Sequence, residues 1–161
     1  MSGASKPSRA EAARELRLDD YLPYRLSVAA NAVSDLIARA YQARFGLSVP
    51  QWRLIAVLGE DGPSTQQALC ARTVMDKVTV SRAAAALTER GLISRTPNEA
   101  DGRSHRLALT GEGEALYADV APSALAYEAR LLEAFSPFEL QTARGLLRRL
   151  EAAAMALTKT G

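Results

Sequence analysis

One stretch, Met75–Thr110, constrains this chain more than any other: it reads MDKVTVSRAAAALTERGLISRTPNEADGRSHRLALT. Its first half has helical spacing. Val80, Ala84 and Leu87 fall at i, i+4 and i+7 and form an apolar stripe, while Lys77, Val78, Thr79, Ser81 and Arg82 sit at the front, on the other side. Gly91 then ends the helix, Leu92–Thr96 reads as a short strand, Pro97–Gly102 as a loop, and Ser104–Leu109 as the returning strand, with Asp101 and Arg103 at the loop tip. A polar-fronted helix followed by a charged hairpin suits a nucleic-acid duplex. The helix matches a major groove about 12 Å wide, and the hairpin reaches the adjacent minor groove.

The flanking segments give this unit a context. Ser64–Gln67 forms a capping box that starts a short helix through Arg72, with Ala68, Leu69 and Ala71 available for packing. After a turn at Thr73–Asp76 the second helix runs to about Arg90, and the pair reads as a helix-turn-helix whose second member is the reader. Upstream, Ser48, Pro50 and Gln51 open a helix that turns Trp52, Ile55 and Leu58 inward and stops at Gly59–Pro63. A first long helix is expected over about Leu22–Phe45, ending at Gly46, with an apolar stripe wide enough for a second subunit to cover. Downstream, Thr110 caps a fifth helix that Pro122 should kink. Ser136, Pro137 and Glu139 begin a sixth helix through about Leu157, with Leu140, Leu146, Leu147, Leu150 and Met155 apolar. The expected architecture is mainly α with a small β-hairpin wing. Residues 1–17 form a mobile arm, 18–46 a dimerisation helix, 47–110 a winged helix-turn-helix, and 111–161 C-terminal dimerisation helices, without the sustained heptads of a simple coiled coil.

Composition excludes more than it selects. Of 161 residues, 48% are hydrophobic but only 6% aromatic, so the core is built from closely packed, alanine-rich helices. A net charge of +2 decides little; the clustering of Lys77, Arg82, Arg90, Arg95, Arg103 and Arg106 says more. One cysteine permits no internal disulfide, and one histidine permits neither an H-E-x-x-H site nor a zinc cluster. With no glycine-rich phosphate loop and no G-x-S-x-G, neither a catalytic site nor a metal or cofactor is expected, and an enzyme is the poorest reading. The first residues lack the apolar run of a signal peptide, and no stretch approaches the roughly 20 apolar residues of a membrane span. A cytoplasmic protein with no membrane partner is the expectation.

The order of elements resembles the MarR family of bacterial transcriptional regulators. Three segments carry the resemblance: Asp76–Arg82 with Leu87-Thr-Glu-Arg-Gly-Leu92; Asp101-Gly-Arg103 leading to Leu107-Ala-Leu109-Thr110, like the family's D-x-R wing and L-x-L-T exit; and Phe45-Gly-Leu47 through Pro50-Gln-Trp52 to Leu58. The resemblance implies a homodimer, double-stranded DNA with a pseudo-palindromic operator, and repression relieved by a small molecule. It also places an effector pocket between the first, second and fifth helices, where Tyr24, Arg25, Asn31, Trp52 and Arg53 could line it. A cation beside aromatic rings suits an aromatic or anionic ligand; the alternative is that these residues pack the core and join subunits.

Residue by residue, Lys77 or Arg82 could contact guanine, Thr79 and Ser81 bases or phosphates, and Val78 a thymine methyl. Arg103 is the expected minor-groove probe, and by resemblance Asp101 steadies an arginine. Ser64, Thr65 and Gln66 start the third helix and could bind phosphate, although capping alone would explain them. His105 decorates a strand, and Cys70 packs in the core. Rival readings are an effector-independent architectural DNA-binding protein and a winged-helix protein-interaction module.

Overall fold

The computed structural model describes residues 16–160; most of the expected N-terminal arm lies outside them. The chain divides after Asp35 into two units. Within the first, a 3₁₀ turn at Leu18–Asp20 leads into α1, Leu22–Ala38, which continues briefly into the second.

The first helix is shorter than the expected Leu22–Phe45. The N–H groups of Arg39, Ala40 and Tyr41 bond to the carbonyls of Leu36, Ile37 and Ala38, a tight turn that ends α1 and directs Tyr41 into the core. A separate single turn, α2, covers Gln42–Phe45 and ends on Gly46 at φ 62°. Helix α3, Val49–Asp61, begins at the expected capping box: Ser48 accepts the Gln51 N–H while the Gln51 side chain accepts that of Ser48. Leu54, Ile55 and Leu58 are buried on it, and Trp52 is half-buried.

Ser64 does not start the next helix. Ser64–Thr65 forms β1, and Thr65 is the cap of α4, Gln66–Thr73, through the Ala68 N–H. Only Leu69 of α4 is fully buried, because Ala68 and Ala71 face outward. Helix α5, Lys77–Glu89, buries the expected Val80, Ala84 and Leu87 together with Ala83. Helices α3, α4 and α5 pack on one another, which makes the helix-turn-helix.

Strands β2, Ile93–Asn98, and β3, Asp101–Leu109, are longer than expected. The sheet order is β1-β3-β2, all antiparallel, so Pro97 lies on an edge strand beside an irregularity between Pro97 and Asn98, a place where a missing N–H is tolerated. Asn98 holds the hairpin together by donating to Ser104 Oγ and accepting the Ala100 N–H. Arg103 therefore sits on β3, past the turn at Glu99–Ala100.

Helix α6, Gly111–Leu132, is capped by Thr110, whose hydroxyl also donates to the Gly91 carbonyl. It runs through Pro122 without ending. Helix α7, Pro137–Thr160, starts at the Ser136–Glu139 capping box, and none of its described side chains is buried. Leu47, Leu54, Ile55, Leu69, Val80, Leu87, Ile93, Leu107 and Val120 belong to a single buried cluster among the described residues. Among the described residues, no helix is long and apolar enough to cross a membrane, and no group of histidine, cysteine or carboxylate side chains could hold a metal.

Candidate nucleic-acid interface

The front of α5 is built by its cap. Asp76 accepts the Thr79 N–H at 2.9 Å and the Thr79 hydroxyl at 2.6 Å. The Thr79 hydroxyl, first in effect, and then its N–H hold the Asp76 carboxyl below its ordinary range. With its proton given to Asp76, Thr79 is left to accept rather than to donate toward a phosphate. Lys77, Val78, Ser81 and Arg82 are exposed opposite the buried stripe. Val78, Ser81, Arg82 and Ala85 fall at i, i+3, i+4 and i+7 and share one face. Before the cap, the helix-turn-helix turn passes through Val74 at φ 55°, the one non-glycine residue with positive φ among those described.

The neighbouring elements extend this face. Ser64 donates to the Gly62 carbonyl at 3.2 Å, so its proton is engaged. The Thr65 oxygen accepts the Ala68 N–H and keeps a proton to donate. Gln66 borders two depressions: one of about 420 Å³ against α5, beside Ser81 and Ala85, and one of about 260 Å³ against the wing, beside Arg103 and His105. Arg95 borders both as well. The exposed side of α5, the start of α4 and the wing thus form one continuous surface.

Asp101 steadies Arg103 through its backbone, accepting its N–H at 3.1 Å, and among the described residues the ion pairs are those of Arg72 with Glu60 and Asp61. Two members of the basic cluster hold the fold. Arg90 donates to the carbonyls of Phe45 and Gly46, and Arg106 to that of Pro63. Sequence reasoning placed Arg95 in the basic cluster but did not single out Gln67, Asn98 or Ser104, which line the same cleft; their alignment depends on strand register, which no local pattern reveals.

Of the residues expected around an effector, Tyr24, Arg25 and Asn31 are exposed on α1 in the first unit, whereas Trp52 and Arg53 belong to the second. Trp52 stacks between Tyr41 and Tyr117, with ring centroids 5.5 and 6.0 Å away. Burial raises the Tyr41 phenol above its ordinary range, and the charge of Arg53 opposes this. Tyr41 and Tyr117 were missed as partners of Trp52 because one lies beyond the break in the first helix and the other on α6.

A three-helix core with a two-helix reading unit and a three-stranded wing defines a winged helix-turn-helix protein. The MarR family model matches residues 45–104. A probable transcriptional regulator from Pseudomonas aeruginosa, of known structure, is 34% identical with a TM-score of 0.73, over 83% of this chain and 99% of that one. The regulator YwoH of Bacillus subtilis is 33% identical over 91 residues, 56% of this chain, and the match spans 66% of that relative's length. The transcriptional repressor IacR of Pseudomonas putida is 26% identical over 124 residues, 70% of this chain and 74% of that protein. The chain belongs to the MarR family of transcriptional regulators, and is a regulator rather than an enzyme.

Proposed function

We propose that the chain is a homodimeric, sequence-specific DNA-binding repressor, released from a pseudo-palindromic operator by a small aromatic or anionic ligand. The observation that carries the reading is the continuous surface from Val78, Ser81 and Arg82 on α5, past Gln66, to Arg103 on the wing. An exposed helix face next to a wing arginine suits a helix in a major groove with an arginine in the minor groove beside it. The similarity to the repressor IacR favours repression over activation. The exposed apolar residues of α7 favour a homodimer, which would present two α5 helices about one helical turn apart, 10 to 10.5 base pairs. The Tyr41–Trp52–Tyr117 stack packs against the core, and the exposed Arg53 beside it is what favours a ligand with a negative charge. Such a ligand would act by binding more tightly to the form whose reading heads do not fit the operator.

The test is binding to DNA selected from a random pool, titrated at several salt concentrations against a scrambled duplex. Tight, sequence-dependent binding with a steep salt slope supports a specific regulator. Equal, weak affinity for both duplexes would instead indicate an architectural binder. A thermal-shift screen with aromatic acids and thioesters then finds the effector, since a ligand of the native state raises Tm.

A further inference from the structure

Glycine is among the poorest helix formers, so Gly59 within α3 needs a reason in packing. Backbone conformation does not supply one: the described glycines with positive φ are Gly46, Gly62 and Gly91, and Gly59 is not among them. The reason lies on α6. A Cβ on Gly59 would meet three ring carbons of Tyr117 at 3.0 Å, closer than ordinary carbon contacts. The same ring stacks on Trp52, with centroids 6.0 Å apart. Trp52 and Gly59 stand at i and i+7 on α3, so Tyr117 lies along one face of that helix.

Gly113, four residues before Tyr117 and on the same side of α6, makes a second close approach. A Cβ there would collide with the Leu92 carbonyl oxygen. Hydrogen bonds tie the same point. The Thr110 hydroxyl accepts the Gly113 N–H and donates to the Gly91 carbonyl, and the Thr110 N–H donates to that of Leu92. The start of α6 is thus pinned to the root of the wing. Its direction beyond that point is set by how closely Tyr117 seats on Gly59. Helix α3 in turn packs on the reading helix α5. The Gly59–Tyr117 contact therefore fixes the long part of α6 relative to the reading unit.

We propose that Gly59 and Tyr117 are positioning residues for DNA binding: their contact sets the angle of α6 to the reading unit, and with it the spacing between half-sites that the regulator accepts. The proposal rests on the homodimeric, two-headed reading above. Leverage makes so small a contact matter. A methyl on Gly59 requires the Tyr117 ring to give by a few tenths of an ångström. At about 1.5 Å of rise per residue, Tyr117 lies about 6 Å from the pivot at Gly113 and Leu132 about 28 Å, so a tilt of roughly 4° moves Leu132 by about 2 Å. With both protomers contributing, the change approaches the roughly 3.4 Å of one base-pair step. Each added base pair also turns a half-site by about 35° around the duplex, so two rigid heads distinguish spacings that differ by one pair.

The experiment uses the full chain and a duplex that it selects from a random pool. Alongside it stand versions with the centre one base pair shorter or longer, and a duplex with a single half-site. Affinities are measured by fluorescence anisotropy at constant ionic strength, and folding by circular dichroism. Wild type should favour its selected spacing over either neighbour by about tenfold or more, because a misplaced half-site cannot be engaged together with the other. Gly59→Ala should change that preference by about threefold or more toward one neighbour. It should bind the single half-site as wild type does, since nothing on the proposed DNA surface has changed. Tyr117→Phe keeps the ring and should keep the wild-type preference. Tyr117→Leu removes the ring and should flatten the preference; it carries the test if Gly59→Ala does not fold. The wild-type preference in folded Gly59→Ala or Tyr117→Leu, or an equal loss of affinity for every duplex including the single half-site, would overturn the proposal and leave the regulator reading standing. Wild type binding all three spacings alike would overturn both the proposal and two-headed recognition. Absence of sequence-dependent binding by wild type would overturn the DNA-binding reading with them.

Discussion

Val74 is a residue whose backbone and side chain disagree. It closes α4 at φ 55° and ψ 33°, and 77% of its surface is exposed. The left-handed conformation costs a side chain with a Cβ roughly 1–2 kcal/mol, and a β-branched one has least room there. Little packing is available to offset it. Val74→Asn should therefore stabilise the protein by about 1 kcal/mol, read as a higher urea midpoint at fixed protein concentration; an unchanged midpoint would mean the turn stores no strain. Gly113 is the opposite case. A Cβ there would collide with the Leu92 carbonyl oxygen, where α6 meets the start of the wing. Gly113→Ala should cost roughly 1–3 kcal/mol, the usual range for overpacking. Asp76 gives a pH signature. Its folded carboxyl titrates below the ordinary carboxylate value, chiefly because the Thr79 hydroxyl and then its N–H bond to the charged form. The stability it contributes is present above the unfolded value and is lost as pH falls through the folded one. Unfolding followed by circular dichroism on the acid side of about pH 4 should show a shallower loss for Asp76→Asn than for wild type.

At the scale of elements, arginines that resemble one another in sequence divide by what they hold. Arg90 ties the end of α5 to the carbonyls of Phe45 and Gly46, whereas Arg103 projects from β3 with its guanidinium free of any ion pair among the described residues. Arg90→Ala should lower stability by about 1 kcal/mol, toward the low end for charged hydrogen bonds because the site is exposed. Its salt slope for DNA should not change. Arg103→Ala should weaken operator binding without lowering the unfolding midpoint, and unchanged affinity across a salt titration would remove its minor-groove role. The sequence made the reading helix legible because one period places Val80, Ala84 and Leu87 on one side. It could not show the end of α1, since the apolar spacing runs on unbroken through Tyr41. What ends the helix is a tight turn that sends Tyr41 toward Trp52, a partner the local pattern does not contain. The wing was under-read for a related reason. Pro97 signals a loop locally, yet on an edge strand its missing N–H has no neighbour to disappoint. Strand β1 exists only because Ser64 and Thr65 meet Leu107 and Arg106, a long-range register that no local pattern contains.

For the molecule as a whole, α7 poses the largest question of burial. Phe138, Leu146, Leu147 and Leu150 are 76, 50, 55 and 38% exposed on a helix with no buried side chain among those described. A long helix gains most of its stability from packing an apolar face, so one that buries no side chain among the described residues fits the proposed homodimer, in which a second copy covers it. Leu146 and Leu150 stand at i and i+4 and so share that face. Replacing both with aspartate should turn a dimer into a monomer in light scattering, and should make Tm independent of protein concentration. It should also weaken operator binding at least tenfold, because each half-site would have to be held by one reading helix and one wing instead of two linked pairs. Arg103→Ala should do the reverse, losing DNA while remaining a dimer. If the double aspartate variant stays dimeric, α7 does not form the interface. If it becomes monomeric yet binds the full operator as tightly as wild type, two-headed recognition is the part of the reading that fails.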